Sequence, residues 1–394
     1  MKNRIISMIL VAAMSISLVA CGSAADNTAD TAADAATEAA SEAASEVAET
    51  LEETVAEVEA TTGESVTDIA FVTDVGNIDD QSFNQYTWAG VQDFCSANGL
   101  VANYYKPSED SDAARVEQMD NAVKDGAKVI VMAGYLFAPA LEEAQAKYSD
   151  VAFLALDVST GDLADPAANT ALITYKEEQA GYLAGYAAVT DGYKELGFLG
   201  GMAVPAVVRY GYGFVQGAEQ AAADLGVTDV NIKYWYSGSF VATDDIKAKM
   251  DSWYTEGTEV VFACGGSICN SCLAAAQANM GKMIGVDVDQ SYLDSSIVVT
   301  SAMKALANSV NVALTDAMEN DWTFSEAYAG KETTLGAAED CVGLPMETST
   351  FTTFTQEQYD TLFNALVDGS LVVDNSFDTA VTPAVTNITV DYQE

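Results

Sequence analysis

From Thr67 onward the chain alternates short apolar runs with amphipathic stretches, and this alternation restricts the fold more than any other feature. The runs Asp68 to Thr73, Val129 to Ala133, Val151 to Leu156, Leu196 to Gly200, Val260 to Ala263 and Met283 to Val288 are rich in Val, Ile, Phe and Ala. Each is short and bounded by Gly, Asp or Lys, as expected of strands covered on both faces. Between them, Asp112 to Lys124, Pro139 to Lys147, Lys176 to Thr190, Val207 to Leu225 and Ser271 to Ala278 read as helices. Strands and helices in strict alternation build parallel sheets flanked by helices, and ligands of such sheets sit where strand ends meet helix starts. About 330 residues are too many for one ordinary core, so an α/β fold of two lobes is expected. The expected division is 67–175 with about 297–325 in the first lobe and 176–296 with about 326–394 in the second. A cleft would lie between the strand C-termini of the two lobes.

The first 66 residues lack this pattern. Lys2 and Arg4 precede an apolar run from Ile5 to Val19 that is short for a bilayer span, and Leu18-Val19-Ala20-Cys21 places small residues before a thiol. The segment resembles the lipobox of bacterial lipoproteins. The resemblance implies a signal peptide over 1–20, cleavage before Cys21 and acylation of Cys21, leaving the mature chain anchored by lipid on the outer face of the cell membrane. A plain secretory signal ending in Cys and a buried N-terminal helix are the competing readings. From Gly22 to Val66 there is no Lys, Arg, aromatic or Pro, so 21–66 is expected to be a disordered acidic tether. Acids at Asp26, Asp30, Asp34, Glu38, Glu42 and Glu46 would line one helical face with like charge, which offsets the helix propensity of Ala. A coiled coil would need a leucine-type seam that this segment lacks.

Charge and residue absences narrow the function. With 59 acids against 16 bases the chain carries a formal charge of −43 at pH 7, which argues against nucleic-acid partners. It has no histidine, so a Ser-His-Asp triad, a His-ligated metal and a His general base are all impossible. Besides Cys21, the odd set Cys95, Cys264, Cys269, Cys272 and Cys341 fits no disulfide framework and reads as small buried hydrophobes, with one pair conceivable. Cys269-x-x-Cys272 has no nearby ligands to complete a metal set.

The first strand end carries the most specific motif, Phe71-Val72-Thr73-Asp74-Val75-Gly76-Asn77-Ile78-Asp79-Asp80-Gln81-Ser82-Phe83-Asn84-Gln85. Ser82 followed by Gln85 reads as a capping box, so a helix should start at Phe83. An aromatic ring and an amide, Phe83 and Asn84, would then stand in the first turn at the mouth of the cleft. By local pattern alone, Phe83 reads rather as a core residue and Asn84 as a cap.

This motif, the Glu178-Gln179-Ala180-Gly181-Tyr182-Leu183-Ala184-Gly185 helix, Cys264-Gly265-Gly266 and Gly285-Val286-Asp287-Val288-Asp289-Gln290 are together similar to the basic membrane protein family. These are lipoprotein substrate-binding proteins of ABC importers with nucleosides as ligands. The resemblance implies a type I periplasmic-binding-protein-like fold, no cofactor, no enzymatic activity, a monomer, and ABC permease and ATPase subunits as partners. It also implies a nucleoside ligand, purines in particular, whose base lies between two aromatic rings. Phe83 matches the first ring and Asn84 would reach the base. Phe240 matches the second ring, with Tyr210 the next candidate. Asp157, at a strand end, would accept from the base, Asp74 belongs to the same cleft, and Gly266 would let backbone approach the ligand. Asp287 and Lys304 resemble a ribose-binding pair, since a carboxylate accepts from vicinal hydroxyls and an ammonium donates. Without the family, that pair reads as a structural salt bridge.

Two other readings remain open. Thr73-Asp74-Val75-Gly76-Asn77-Ile78-Asp79-Asp80 faintly resembles the Asp-rich start of nucleoside hydrolases, although Val72 stands where the leading Asp belongs and Asn77 adds a residue before the paired acids. A lipoprotein that senses a ligand without transporting it would need the same cleft.

Overall fold

The computed structural model describes residues 67–74 and 76–394, so the expected signal peptide, Cys21 and tether lie outside the described residues. The elements run β1 (Ile69–Val72), α1 (Phe83–Asn98), β2 (Ala102–Tyr105), α2 (Asp112–Lys124), β3 (Val129–Ala133), α3 (Ala138–Lys147), β4 (Ala152–Leu156) and β5 (Thr170–Tyr175). They continue with α4 (Glu177–Thr190), β6 (Glu195–Gly200), α5 (Pro205–Leu225), β7 (Val230–Tyr236), α6 (Asp244–Thr255), β8 (Val260–Cys264), α7 (Ile268–Asn279) and β9 (Lys282–Asp287). The last are β10 (Val298–Lys304), α8 (Leu306–Glu319), β11 (Lys331–Leu335), β12 (Val342–Gly343), α9 (Gln356–Val367) and β13 (Ile388–Tyr392).

Two sheets form among the described residues, in the orders β11-β5-β4-β3-β1-β2 and β12-β10-β9-β8-β6-β7-β13. Every pairing is parallel except the short β10–β12 contact, so each sheet must be covered on both faces. That requirement explains why β1, β3 and β4 are apolar throughout and buried at every residue. These are the two parallel-sheet α/β lobes that the alternation predicts.

The division of the chain between lobes differs from expectation at two strands. β10 was expected in the first lobe but pairs with β9 in the second sheet, while β11, expected in the second lobe, pairs with β5 in the first. Within the expected 297–325 segment, α8 does lie against the first lobe, its Asn311 donating to the Gly90 carbonyl of α1. The chain therefore crosses between lobes after β5, after β10 and after β11. Sheet membership is fixed by pairing with strands far away in sequence, which no local pattern encodes.

A close helix pair holds the second lobe against the first crossing. A Cβ on Gly181 of α4 would lie 2.1 Å from the Tyr210 carbonyl oxygen, and one on Gly213 of α5 would lie 2.0 Å from that of Glu178. Gly185 and Gly217 repeat the contact one turn on. Backbone packs directly on backbone, and only glycine leaves room. The consequence is positional: the first turns of α4 and α5, bearing Glu177 and Arg209, are pressed together.

Candidate functional site

The cleft lies where the strand C-termini of both sheets converge. Its space, including the part open to solvent, is about 1060 Å³. Asp74 follows β1, Asp157 follows β4, Gly265 and Gly266 follow β8, Asp287 ends β9 and Lys304 ends β10, so five strands deliver the polar groups. Phe83 enters from α1, Tyr210 from α5, and Phe240 from the loop between β7 and α6. All nine residues expected to contact ligand line this one cavity.

The loop after β1 is built by Asp80. Its Oδ1 accepts from the backbone N–H of Ser82 and Gln85, and its Oδ2 from the N–H and the side-chain amide of Asn84, all at 3.0 Å. A carboxylate at a helix N-terminus is favoured both by these donors and by the helix dipole. Helix α1 starts at Phe83 as expected, but not through the expected capping box: Ser82 makes no cap bond, and Gln85 Oε1 accepts from Gln81 N at 3.0 Å. The Asp74 Oδ1 accepts from Asn84 Nδ2 at 2.9 Å and from Gly76 N at 2.6 Å. Both amide hydrogens of Asn84 are thus engaged within the protein, and its first task is to hold Asp74. Burial pushes the Asp74 carboxyl up to about 6, against the hydrogen bonds that favour its charge.

Lys304 anchors a second polar cluster. Its Nζ donates to Asp157 Oδ2 at 2.7 Å and to Glu177 Oε1 at 3.1 Å, and sits 4.8 Å from the Phe83 ring centroid and 4.9 Å from that of Tyr175. Glu177 in turn receives Arg209 Nε at 2.7 Å. Lys304 therefore pairs with Asp157 and Glu177, and the alternative reading of Asp287 with Lys304 as a structural salt bridge is not met. Two carboxylates share one ammonium, so they titrate apart. Burial pushes Asp157 up to about 6 despite Lys304, with Glu177 adding repulsion. Burial also opposes the charge of Glu177, but Arg209 and Lys304 outweigh it and hold that carboxyl below its usual range. Lys304 stays an ammonium, since the acids around it outweigh its burial. The Asp157 Oδ1 is buried with no hydrogen-bond partner in the protein, an unsatisfied acceptor on a residue that lines the cleft.

Asp287 is held from two sides. Ser82 Oγ donates to its Oδ2 across the lobes, and Tyr210 O–H approaches its Oδ1 at 3.5 Å. Burial raises its carboxyl, partly offset by Lys304 and Ser82. Asp157 and Asp287 both adopt left-handed backbone, with φ of 57° and 65°. A non-glycine residue there costs about 1–2 kcal/mol, and strain of this kind collects at functional sites.

Phe240 rests on glycine backbone. A Cβ on Gly201 would lie 2.4 Å from its ring, one on Gly265 2.9 Å, and one on Gly266 3.1 Å from its carbonyl oxygen. Gly265 and Gly266 also have φ of 144° and 54°, which side chains disfavour. Gly266 lines the cleft, and together these glycines seat the second ring. Glu177, Arg209, Asp80 and Gly201 were not singled out from sequence. An acidic pair opening an apolar helix, Glu177-Glu178, was the available signal for the first.

The five cysteines among the described residues are buried and unpaired, with Cys269 and Cys272 inside the core under α7. Among the described residues no helix is long and apolar enough to cross a membrane.

Two parallel-sheet lobes with a carboxylate-rich cleft between their strand ends define the class of two-lobe, periplasmic-binding-protein-like α/β folds. A solute-binding protein from Aeropyrum pernix K1 superposes with a TM-score of 0.67 at 21% identity, covering 79% of this chain and 95% of that one. One from Conexibacter woesei gives 0.63 at 19% identity, covering 78% and 99%. The family is fixed by sequence: residues 67–373 match the Bmp model, described as ABC transporter substrate-binding protein PnrA-like, and the chain belongs to that family. Among its relatives are the ABC transporter nucleoside-binding protein BmpA of Lactococcus lactis, 29% identical over 64% of this chain and 75% of that protein. Another is basic membrane protein B of Borreliella burgdorferi, 25% identical over 68% and 78%.

Proposed function

We propose that the protein is a lipid-anchored, extracytoplasmic receptor that closes on a nucleoside, purines first, and passes it to an ABC permease and its ATPase. The observation that carries this reading is the pairing of Phe83 from the first lobe and Phe240 from the second on one cleft that also holds buried acceptors. The rings stack on the base from opposite lobes. Asp74 accepts from the base edge, while Asp157 Oδ1 and Asp287 accept from ligand hydroxyl or amino hydrogens. Acids outnumber bases along the lining: Asp74, Asp79, Asp80, Asp157 and Asp287 face Lys304 alone, and Lys304 is already engaged by Asp157 and Glu177. Such a lining favours neutral donors and repels phosphate. The hydrolase reading loses support, since Asp80 is engaged by four hydrogen bonds in capping α1. The L. lactis relative, described as nucleoside-binding, agrees with this proposal.

Calorimetry with guanosine, adenosine, their 2′,3′-dideoxy analogues, the free bases and the 5′-monophosphates tests the proposal. Buried polar groups left without partners cost about 1–3 kcal/mol each. Ribonucleosides are therefore expected to bind about ten- to hundred-fold more tightly than the dideoxy analogues and bases, and the monophosphates not measurably. Equal affinity across the series, or no binding of any member, refutes it.

A further inference from the structure

The two lobes are joined by hydrogen bonds that require no ligand atom. Ser82, fully buried in the loop after β1, donates its Oγ proton to Asp287 Oδ2 of the opposite lobe. Beside it, Gln290 Nε2 donates to the Gln81 carbonyl at 2.9 Å. Both partners are fixed in place by their own lobes. Gln290 Oε1 accepts from Val286 N at 3.1 Å and its backbone N–H donates to Ser301 Oγ at 3.0 Å. A Cβ on Gly285 would lie 2.6 Å from Gln290 Oε1, so that glycine is what admits the side chain. On the other side, Gln81 has a left-handed φ of 60° and Asp80 fixes the Ser82 N–H. The seam thus joins two rigid surfaces and has little freedom to lose when it forms.

We infer that Ser82 and Gln290 are affinity-setting positioning residues: they touch no ligand, but tie the closing faces together and keep a measurable fraction of the protein closed before ligand arrives. The inference rests on the closing-cleft reading but not on which solute binds. Asp287 links the seam to recognition, because the carboxylate that receives Ser82 is also a wall of the cleft. Closure and the orientation of that acceptor are therefore one event, and a ligand meets Asp287 already oriented only when the lobes have met.

Single-molecule FRET between dyes on exposed helices of the two lobes of the mature chain reads the closed fraction directly. Wild type and Ser82→Thr, which keeps the hydroxyl, should show a closed population without ligand. Ser82→Ala, and Gln290→Glu, which keeps Oε1 for Val286 but repels the Gln81 carbonyl, should lower the closed-to-open ratio about ten-fold. With guanosine, Ser82→Ala should release ligand about ten-fold faster at nearly unchanged association rate. A wild type wholly open without ligand, or a Ser82→Ala variant with unchanged closed fraction, overturns the inference. Should wild type bind no nucleoside, the nucleoside proposal fails while the ligand-free measurement still decides the seam.

Discussion

Asp74 and Asp157 titrate where few aspartates do, and this gives the site a pH signature. Both folded values, about 6, exceed the ordinary 3.8 because burial disfavours the charge. A raised value favours folding most fully below the unfolded pKa, and that contribution is lost as pH rises through the folded one. The ligand-free protein should accordingly gain resistance to urea as pH falls from 7 to 5. Glu177, held low, weakens the fold only at more acidic pH. Ligand binding runs the other way, because donors on the solute need the ionised acceptors. Nucleoside affinity should be full above pH 7 and fall about ten-fold per unit below 6 for each carboxylate engaged. Calorimetry across pH 5 to 8 tests this, and Asp157→Asn should flatten part of the slope. A profile unchanged by pH would show that neither carboxylate accepts from the ligand.

At the level of elements, the α4–α5 contact is the least tolerant joint in the second lobe. Gly181→Ala would drive a methyl into the Tyr210 carbonyl, and overpacking of this kind costs about 1–3 kcal/mol. A backbone obstacle cannot rotate away, so the upper value is expected in denaturant unfolding. The same displacement should loosen Arg209 from Glu177 and weaken ligand binding in the folded fraction. Of the strands that sequence revealed, β1, β3, β4 and β8 are apolar throughout and β6 and β9 carry charge only at their ends, whereas the buried β5 and β10, with Thr or Ser among their apolar residues, were missed. The half-exposed β2 and the polar edge strand β11, Lys-Glu-Thr-Thr-Leu, were missed as well. The cleft was legible where a residue follows a recognisable strand, as Asp157 and Asp287 do. Who pairs with whom was not: Lys304 was matched with Asp287 because strand ends show proximity but not side-chain direction, and Glu177 arrives on a helix from another part of the chain.

For the whole molecule, the proposed anchor can be tested independently of the described residues. Cys21→Ser should abolish partition into the detergent phase on Triton X-114 separation while leaving the melting temperature and ligand affinity of the released protein unchanged. Equal partition of variant and wild type would remove the lipid from the proposal. The interleaving of the lobes has a different consequence, in the order of synthesis. The first sheet keeps β5 as a bare edge, its six residues Thr-Ala-Leu-Ile-Thr-Tyr destined for complete burial, until β11 is delivered more than 150 residues later. By then the ribosome has produced most of the second lobe. An unpaired apolar edge is a template for association between nascent chains. A chain built in this order depends on being kept unfolded, or shielded, until β11 has emerged, and neither lobe can be inherited or excised as a module.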